Sequence, residues 1–377
     1  MNGYRLLAVA KKECIHIIRD WRSLFLTIAT PLILVLLFAY ALTLDVNNVK
    51  IVIWDESKTV ESRDLIQKFI GSRYFSLTRY AKNYDEIIHS IDKGESTVAM
   101  VIPSNFAKRL DSGRQPKIQF IVDGSDANTA TLSLGYADAI TLGYSEGLIL
   151  KELQRNGEEK VLLPIDLRTR IWFNPELNSR NNIVPGLIGV IMMVIASLMT
   201  SLTIAREWEK GSMEQLISTP IKVPELLFGK MLPYFAIGML DLIMIILIGE
   251  FVFDVPFHGN LALLFGIAIL FLTGALSLGM LISIITKSQL LASQLAMVVT
   301  FLPSVLLSGF LSPIYNMPHA IQFITYFVPA RYFITFLRAL YLKGIGLSIL
   351  YVEGIFLLLF ALITVALANL KFKKRLG

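Results

Sequence analysis

Six apolar runs divide the chain, at residues 24–44, 183–204, 226–253, 261–285, 290–311 and 349–370. Each supplies the roughly 20 residues that a helix needs to cross the hydrocarbon core of a bilayer. The fourth and fifth are separated only by the sequence TKSQ, which predicts a tight helical hairpin. Ahead of the first run, residues 4–22 predict an amphipathic helix lying on a membrane surface, with Leu6, Leu7, Ile15 and Ile18 toward lipid. A cleaved leader is the rival reading of the first run, because Ala39-Tyr40-Ala41 resembles a small-x-small cleavage site. The run is longer than the usual 7–15-residue leader core and a long basic segment precedes it, which favours an uncleaved anchor.

Between the first and second runs the period changes. VKIVIWD, YFSLTRY, STVAMVIP and KIQFIVDG read as strands. Helices are expected at TVESRDLIQKFIG with Thr59 near its cap, at NYDEIIHSIDKG, at SNFAKRLDSG capped by Ser104, and over residues 127–155. A last strand is expected around residues 167–173. Apolar strands alternating with helices indicate an α/β domain whose sheet is covered. The fold class expected is therefore an α-helical polytopic membrane protein, with six transmembrane helices and an α/β extracytoplasmic domain between the first and second. Its divisions are a cytoplasmic interfacial helix (1–23), a first span (24–44), the extracytoplasmic domain (45–182), spans two to six (183–370) and a basic tail (371–377).

Composition supports that class. Hydrophobic residues make up 54% and charged residues only 17% of the 377 positions, with a mean hydropathy of +0.61, whereas soluble domains are about a quarter charged. The placement of charge says more than the net +6. Arg5, Lys11, Lys12, Arg19 and Arg22 precede the first span, and Lys371, Lys373, Lys374 and Arg375 follow the last. The positive-inside rule puts both termini in the cytoplasm. Residues 205–225 and the TKSQ turn are then cytoplasmic, and 45–182 and 313–348 face outward. The single cysteine, Cys14, excludes an internal disulfide and reads as an ordinary half-buried thiol.

The second span runs into AREWEKGSMEQLISTP, residues 205–220. Gly211 ends the membrane helix. Ser212 is expected to cap a new one, with Gln215 completing a capping box. Pro220 stops it and Pro224 suits the first turn of the third span. The result is a helix of about two turns, too short to be stable without tertiary contacts. Met213, Leu216 and Ile217 share one face, with Glu214 and Gln215 elsewhere. The mixed signs of Arg206, Glu207, Glu209 and Lys210 suit a protein partner better than lipid, which selects basic segments. A solvated linker fits the same pattern equally well.

Few other residues carry chemistry. Asp123 and Asp126 flank Gly124-Ser125 after a strand, where a turn explains them more simply than an active site. His89 is the only histidine in the α/β stretch, and neither metal-ligand spacing nor a nucleophile elbow is present. The one Gly-Lys pair, Gly229-Lys230, has Pro224 and Met231 where a phosphate-binding loop needs Gly and Ser or Thr. Asp241 lies deep in the third span, while Glu250 and Glu353 lie near span ends, and acids at membrane depth are often functional. Asp241 reads either as a polar group of a transport path or proton-linked site, or as a hydrogen-bonded structural acid. Pro303 is expected to kink the fifth span, with Ser304 and Ser308 satisfying the freed backbone. Residues 319–343 are rich in aromatics and divided by Pro329, and Arg331 and Arg338 project from one helical face toward lipid phosphates or acidic partners.

Several runs together resemble the permease subunit of ABC-2 type exporters: REWEKGSMEQLISTP, PELLFGKMLPY, VAMVIPSNFAKRL, IVDGSDANTA, IWFNPELNSRNNIVPGL and LLSGFLSPIYNMPHAIQFITYFVPARYFITFLRALYLKG. The likeness covers the whole chain and is strongest to bacterial inner-membrane permeases of the multidrug type. It implies a non-enzymatic transporter subunit without a cofactor of its own. ATP and Mg would belong to a cytoplasmic ABC ATPase partner. A second permease chain, the same or paralogous, and membrane lipids are the other partners implied, with a periplasmic adaptor as an optional one and no nucleic acid. Arg206, Glu207, Glu209, Gly211, Ser212, Met213, Glu214, Gln215, Leu216 and Ile217 would form the ATPase-coupling element. Asp241, Pro303, Gly309, Arg331 and Arg338 are candidates for the path or its exit. A drug or amphiphile as cargo, a lipid or glycan as cargo, and an anchored enzyme or sensor without transport all remain open at this point.

Overall fold

The computed structural model describes residues 2–41, 48–112, 114–155, 173–174 and 178–372. Its chain forms two compact units, Leu44–Thr169 and the pair of segments Met1–Thr43 and Arg170–Gly377. The second unit opens with α1 (Gly3–Arg19) and α2 (Trp21–Ala41) before the chain enters the first.

Unit Leu44–Thr169 runs β1 (Val49–Asp55), α3 (Val60–Ile70), β2 (Phe75–Tyr80), α4 (Tyr84–Asp92), β3 (Val98–Ile102), α5 (Phe106–Asp111), β4 (Gln119–Val122) and α6 (Ala127–Arg155). The sheet order is β2-β1-β3-β4. β1 pairs in parallel with β2 and β3, and β4 closes the edge antiparallel to β3. Alternate side chains of a strand point to opposite faces. Ile51 and Ile53 accordingly pack with Leu65, Phe69 and Ala137 on one face, while Val52 packs with Ile87 and Ala99 on the other. Both faces are covered, which is why β1 and β3 read as near-continuous apolar runs. Thr59 and Ser62 form a reciprocal capping box at the start of α3, 3.3 and 3.0 Å. α5 differs from expectation: Asn105, not Ser104, stands at its cap and makes no side-chain bond there. Ser104 instead donates its backbone N–H to Glu56 at 3.3 Å. The strand expected at 167–173 lies outside the described residues except for Phe173.

The other unit continues with α7 (Arg180–Glu209), α8 (Ser212–Ser218), α9 (Val223–Phe251), α10 (Leu261–Thr286), α11 (Gln289–Leu306), α12 (His319–Thr325), α13 (Pro329–Arg338) and α14 (Tyr351–Lys371). Among the described residues six helices, α2, α7, α9, α10, α11 and α14, are long and apolar enough to cross a membrane, so the protein has the architecture of a multi-pass membrane protein. α12 and the segment Pro329–Lys343 meet at a bend of 84°. α11 stops at Leu306, short of the expected 311, because Gly309 turns the chain at φ +82°.

α7 is the central post, in contact with α2, α9, α10, α11 and α13. Hydrophobic burial does little to join helices inside lipid, so close contact relies on small residues and hydroxyls. A Cβ at Gly279 of α10 would lie 2.1 Å from the Ser197 carbonyl oxygen and 2.3 Å from Thr200 Oγ1. Beside it, Thr200 donates to the Leu276 carbonyl at 2.8 Å, and Ser283 accepts from the backbone of Ala205 at 2.8 Å. Replacing Gly279 by Ala should therefore push α10 off α7 and cost about 1–3 kcal/mol, the usual penalty of overpacking. A lowered melting midpoint of the purified chain in detergent would show it; an unchanged midpoint would mean that this contact yields freely.

Candidate functional site

The charged stretch after the second span is a folded corner. α7 carries Arg206, Glu207 and Glu209 in its last turn. Gly211 then adopts φ +68°, a left-handed conformation that costs glycine nothing and other residues more. This reversal launches α8, whose first turn has no side-chain cap. Ser212 does not close the expected capping box with Gln215. Its hydroxyl donates instead to Glu207 Oε2 at 2.6 Å, because a buried carboxylate outcompetes a helix end open to solvent.

That carboxylate belongs to a network the sequence did not announce. Lys230, in the second turn of α9 and 2% exposed, places Nζ 3.0 Å from Glu207 Oε1 and 3.0 Å from Glu13 Oε2 of α1. Tyr234, one turn further along α9, donates to Glu13 Oε1 at 3.1 Å. Lys12, largely exposed, approaches Glu207 Oε1 at 3.3 Å. Two carboxylates thus meet two ammonium groups at the junction of α1, α7 and α9. Glu225 ties the starts of α1 and α9, accepting from the backbone of Asn2 at 2.7 Å and of Lys222 at 3.0 Å, while Arg5 donates to the Pro220 carbonyl. At Gly229 a Cβ would meet Val9 Cβ at 2.8 Å and the Leu6 carbonyl at 2.9 Å, so glycine lets α1 lie directly on α9. The Gly-Lys pair is a helix contact followed by a buried cation, with no loop around it.

Glu207 was grouped with the surface charges of the segment, and the structure buries it. Glu209 is exposed, yet its carboxylate is engaged: it accepts from the backbone N–H of Gln289 at 2.7 Å and from that side chain. Arg206 donates to Gln289 Oε1 at 3.4 Å, and the Lys287 ammonium sits 4.5 Å over the Trp208 ring. The α7 end is thereby fastened to the α10–α11 turn. On α8, Met213 is wholly buried, and Leu216 and Ile217 pack against the same core. Ile221, Leu226 and Phe372 sit beside Leu216 and Ile217 around a void of about 10 Å³. The apolar stripe of α8 thus packs on its own chain, Met213 fully and Leu216 and Ile217 half-buried. Lys210, Gly211, Glu214 and Gln215 remain on the exposed edge.

Two signals for this network were present in the sequence. Lys230 falls inside the third apolar run, where an ionisable group is costly and implies a counter-charge. Glu13 interrupts the buried side of α1 between Val9 and the α2 turn. Neither says which groups meet, because the three partners are separated by more than 190 positions along the chain on one side.

The remaining candidates do not converge on this corner or on one another. Asp241 is 1% exposed in α9, and neither carboxylate oxygen has a hydrogen-bond partner among the described residues, so the structural-acid reading lacks its bond. Pro303 lies inside α11, which runs on unbroken to Leu306, and Ser308 donates to the Ser304 carbonyl in the helix's last turn, not to the carbonyl that Pro303 frees. Arg338 donates to the carbonyls of Gly309 at 2.9 Å, Phe310 at 3.2 Å and Asn182 at 3.4 Å. It therefore pins α13 to the start of α7 and the end of α11, where the sequence suggested lipid phosphate or an acid. Arg331 lies 4.2 Å over the Tyr326 ring and donates to Thr325. Glu250 is exposed and Glu353 half-buried. Cys14, read as half-buried, is exposed.

In the α/β unit, Asp123 accepts from the Ser125 hydroxyl at 2.6 Å and from its backbone N–H at 2.9 Å. These bonds hold the Asp123 carboxyl below its ordinary pKa, the hydroxyl contributing most. Thr129 donates to Asp126. The pair forms a strand-to-helix turn of the kind Asp and Ser favour.

Residues 21–370 match the family model described as ABC-2 family transporter protein. The chain is 38% identical over its full length to the "Probable multidrug ABC transporter permease YbhS" of Escherichia coli, covering 98% of that protein. It is 30% identical to the "Probable multidrug ABC transporter permease YbhR" of the same organism, over 92% of each chain. To the "Inner membrane transport permease YhhJ" of Escherichia coli it is 29% identical, over 78% of this chain and 77% of that one. With a family model spanning nearly every element from α2 to α14 and relatives of matching length, the chain belongs to the ABC-2 family of transporter membrane proteins.

Proposed function

We propose that this chain is the permease subunit of an ATP-driven exporter, coupled through α8 to a separate cytoplasmic ABC ATPase and paired with a second permease chain. The cargo is a drug-like or amphiphilic molecule, as the names of its relatives suggest. One observation carries the reading: α8 is a short helix held from behind by the Ser212–Glu207 bond to α7 and by Met213 in the core, with Glu214 and Gln215 exposed along its free edge and Lys210 exposed just before it. Force applied to that edge passes through Ser212 and Glu207 to Lys230 and Glu13, and so to α7, α9 and α1 at once. ATP and Mg would bind the partner, since Gly229-Lys230 sits within a helix and forms no phosphate cradle. The α/β unit would then stand outside the cell and both termini inside.

Replacing Glu214 by Lys reverses a charge on the free edge without touching the network. Co-purification of the ATPase should fall several-fold while the permease remains monodisperse; undiminished co-purification would remove α8 from the contact. Replacing Lys230 by Met should be far harsher, because it leaves two buried carboxylates without their cation. The cost expected is about 3–5 kcal/mol, visible as a drop in melting midpoint that the added change Glu207→Gln partly restores. Orientation has its own test in the single cysteine. A membrane-impermeant maleimide should leave Cys14 unlabelled in intact cells and label it after permeabilisation, and labelling of intact cells would reverse the proposed topology.

A further inference from the structure

Asp241 is the one residue of the transport candidates whose chemistry the fold leaves unfinished. Its carboxylate is buried in the middle of α9 against Pro31 of α2, Ile191, Met192, Ile195 and Met199 of α7, and Leu272 of α10. None of these side chains donates a hydrogen bond, and both carboxylate oxygens are without a partner among the described residues. An acid at membrane depth is costly unless something answers its charge.

A cavity of about 400 Å³ opens between α1, α2, α7 and α9, its lining stopping short of Asp241 itself. It shares Ile195 and Met199 with the wall around Asp241, and its Ile237 is one helical turn before Asp241 on α9. Leu24, Leu26, Leu198 and Leu202 make most of its lining apolar. Thr27 and Thr30 add hydroxyls, and Pro31, lacking an N–H, leaves the Thr27 carbonyl without its usual helix donor. His16, Asp20, Arg206 and Tyr234 stand at the end nearest α1. Arg206 is engaged with Gln289 and Tyr234 with Glu13. The volume falls in the range of small-molecule pockets, about 300–1,000 Å³.

We infer that this cavity is a binding site for an amphipathic organic cation, its apolar body between α2, α7 and α9 and its positive group drawn toward Asp241. The apolar walls select against hydrophilic cations, and the buried carboxylate selects against anions. A lipid acyl chain would also suit the walls but leaves the acid unanswered, which is why the cation is favoured. The site deepens the export reading, since it names a cargo class and an entry point within one permease chain. It rests on that reading only for its purpose; binding itself needs no ATPase.

Binding is tested with the full chain purified in nanodiscs, using ethidium, whose fluorescence rises on leaving water, and the neutral dye N-phenyl-1-naphthylamine. Ethidium should bind saturably. Asp241→Asn should weaken ethidium at least about tenfold, roughly the loss of one favourable charge contact of 1.4 kcal/mol, and leave the neutral dye within about threefold. Asp241→Glu should keep ethidium affinity within the same threefold. Thr27→Trp, which fills the cavity without altering the acid, should abolish both. Ethidium affinity unchanged in Asp241→Asn, or binding of either dye unchanged in Thr27→Trp, overturns the site. So does a loss of the permease dimer in Asp241→Asn with ethidium binding intact, which would give the acid to a contact between two copies. Should Asp241→Asn fail to yield monodisperse protein, Thr27→Trp decides alone. ATP-dependent efflux by the chain reconstituted with its ATPase separates the two readings: efflux that survives loss of the site leaves the exporter assignment standing, and absence of efflux with binding intact removes that assignment while keeping the site.

Discussion

One ammonium group organises the inner end of the helical unit. Lys230 holds Glu13 of α1 and Glu207 of α7 at 3.0 Å each, almost entirely out of solvent. Ions buried at such a place lose much of their hydration, and only close geometry with further hydrogen bonds offsets the loss. Tyr234, Ser212 and Lys12 supply those bonds. Because each partner comes from a different element, moving α1, α7 or α9 away from the others would leave a buried charge without its partner. α8 hangs from the same cluster through Ser212.

This arrangement converts a weak element into a stiff one. A helix of 7 residues has almost no intrinsic stability, yet Met213 is anchored in the core and Leu216 and Ile217 rest on it. A neighbour that pushes on α8 meets a part joined directly to α7 and, through Glu207 and Lys230, to α9 and α1. The Glu209–Gln289 and Trp208–Lys287 contacts extend the join to the α10–α11 turn. The opposite end of the bundle is organised by the same logic with a different chemistry, where the Arg338 guanidinium gathers the Gly309 and Phe310 carbonyls beyond the end of α11 and the Asn182 carbonyl in the first turn of α7.

Asp241 stands against that background as an exception. Among the described residues the unit's other buried charged groups are answered from within the chain: Lys230 by Glu13 and Glu207, and Glu225 by backbone N–H groups; the hydroxyls of Ser197 and Tyr341 also lack a partner, but they carry no charge. An acid that the fold pays to bury and does not satisfy is better understood as serving something outside the chain.

The pattern of apolar runs was enough to locate the six long helices to within a few residues, since length and hydropathy alone decide whether a helix suits a bilayer. Alternation and turn residues likewise marked β1 to β4 and α6, because a sheet covered on both faces leaves continuous apolar strands. The motif at residues 205–220 carried the family resemblance and the short helix. What the sequence could not supply was partnership. Ser212 looked like a cap and became a ligand of Glu207; Glu207 looked like a surface charge and became the centre of a buried network; Arg338 looked free to meet phosphate and closed on carbonyls. Local pattern reports what a residue would do beside its chain neighbours, whereas a buried charge is settled by whichever opposite charge the fold brings within about 3 Å. For Glu13, Glu207 and Lys230, that meeting exists only once α1, α7 and α9 have packed.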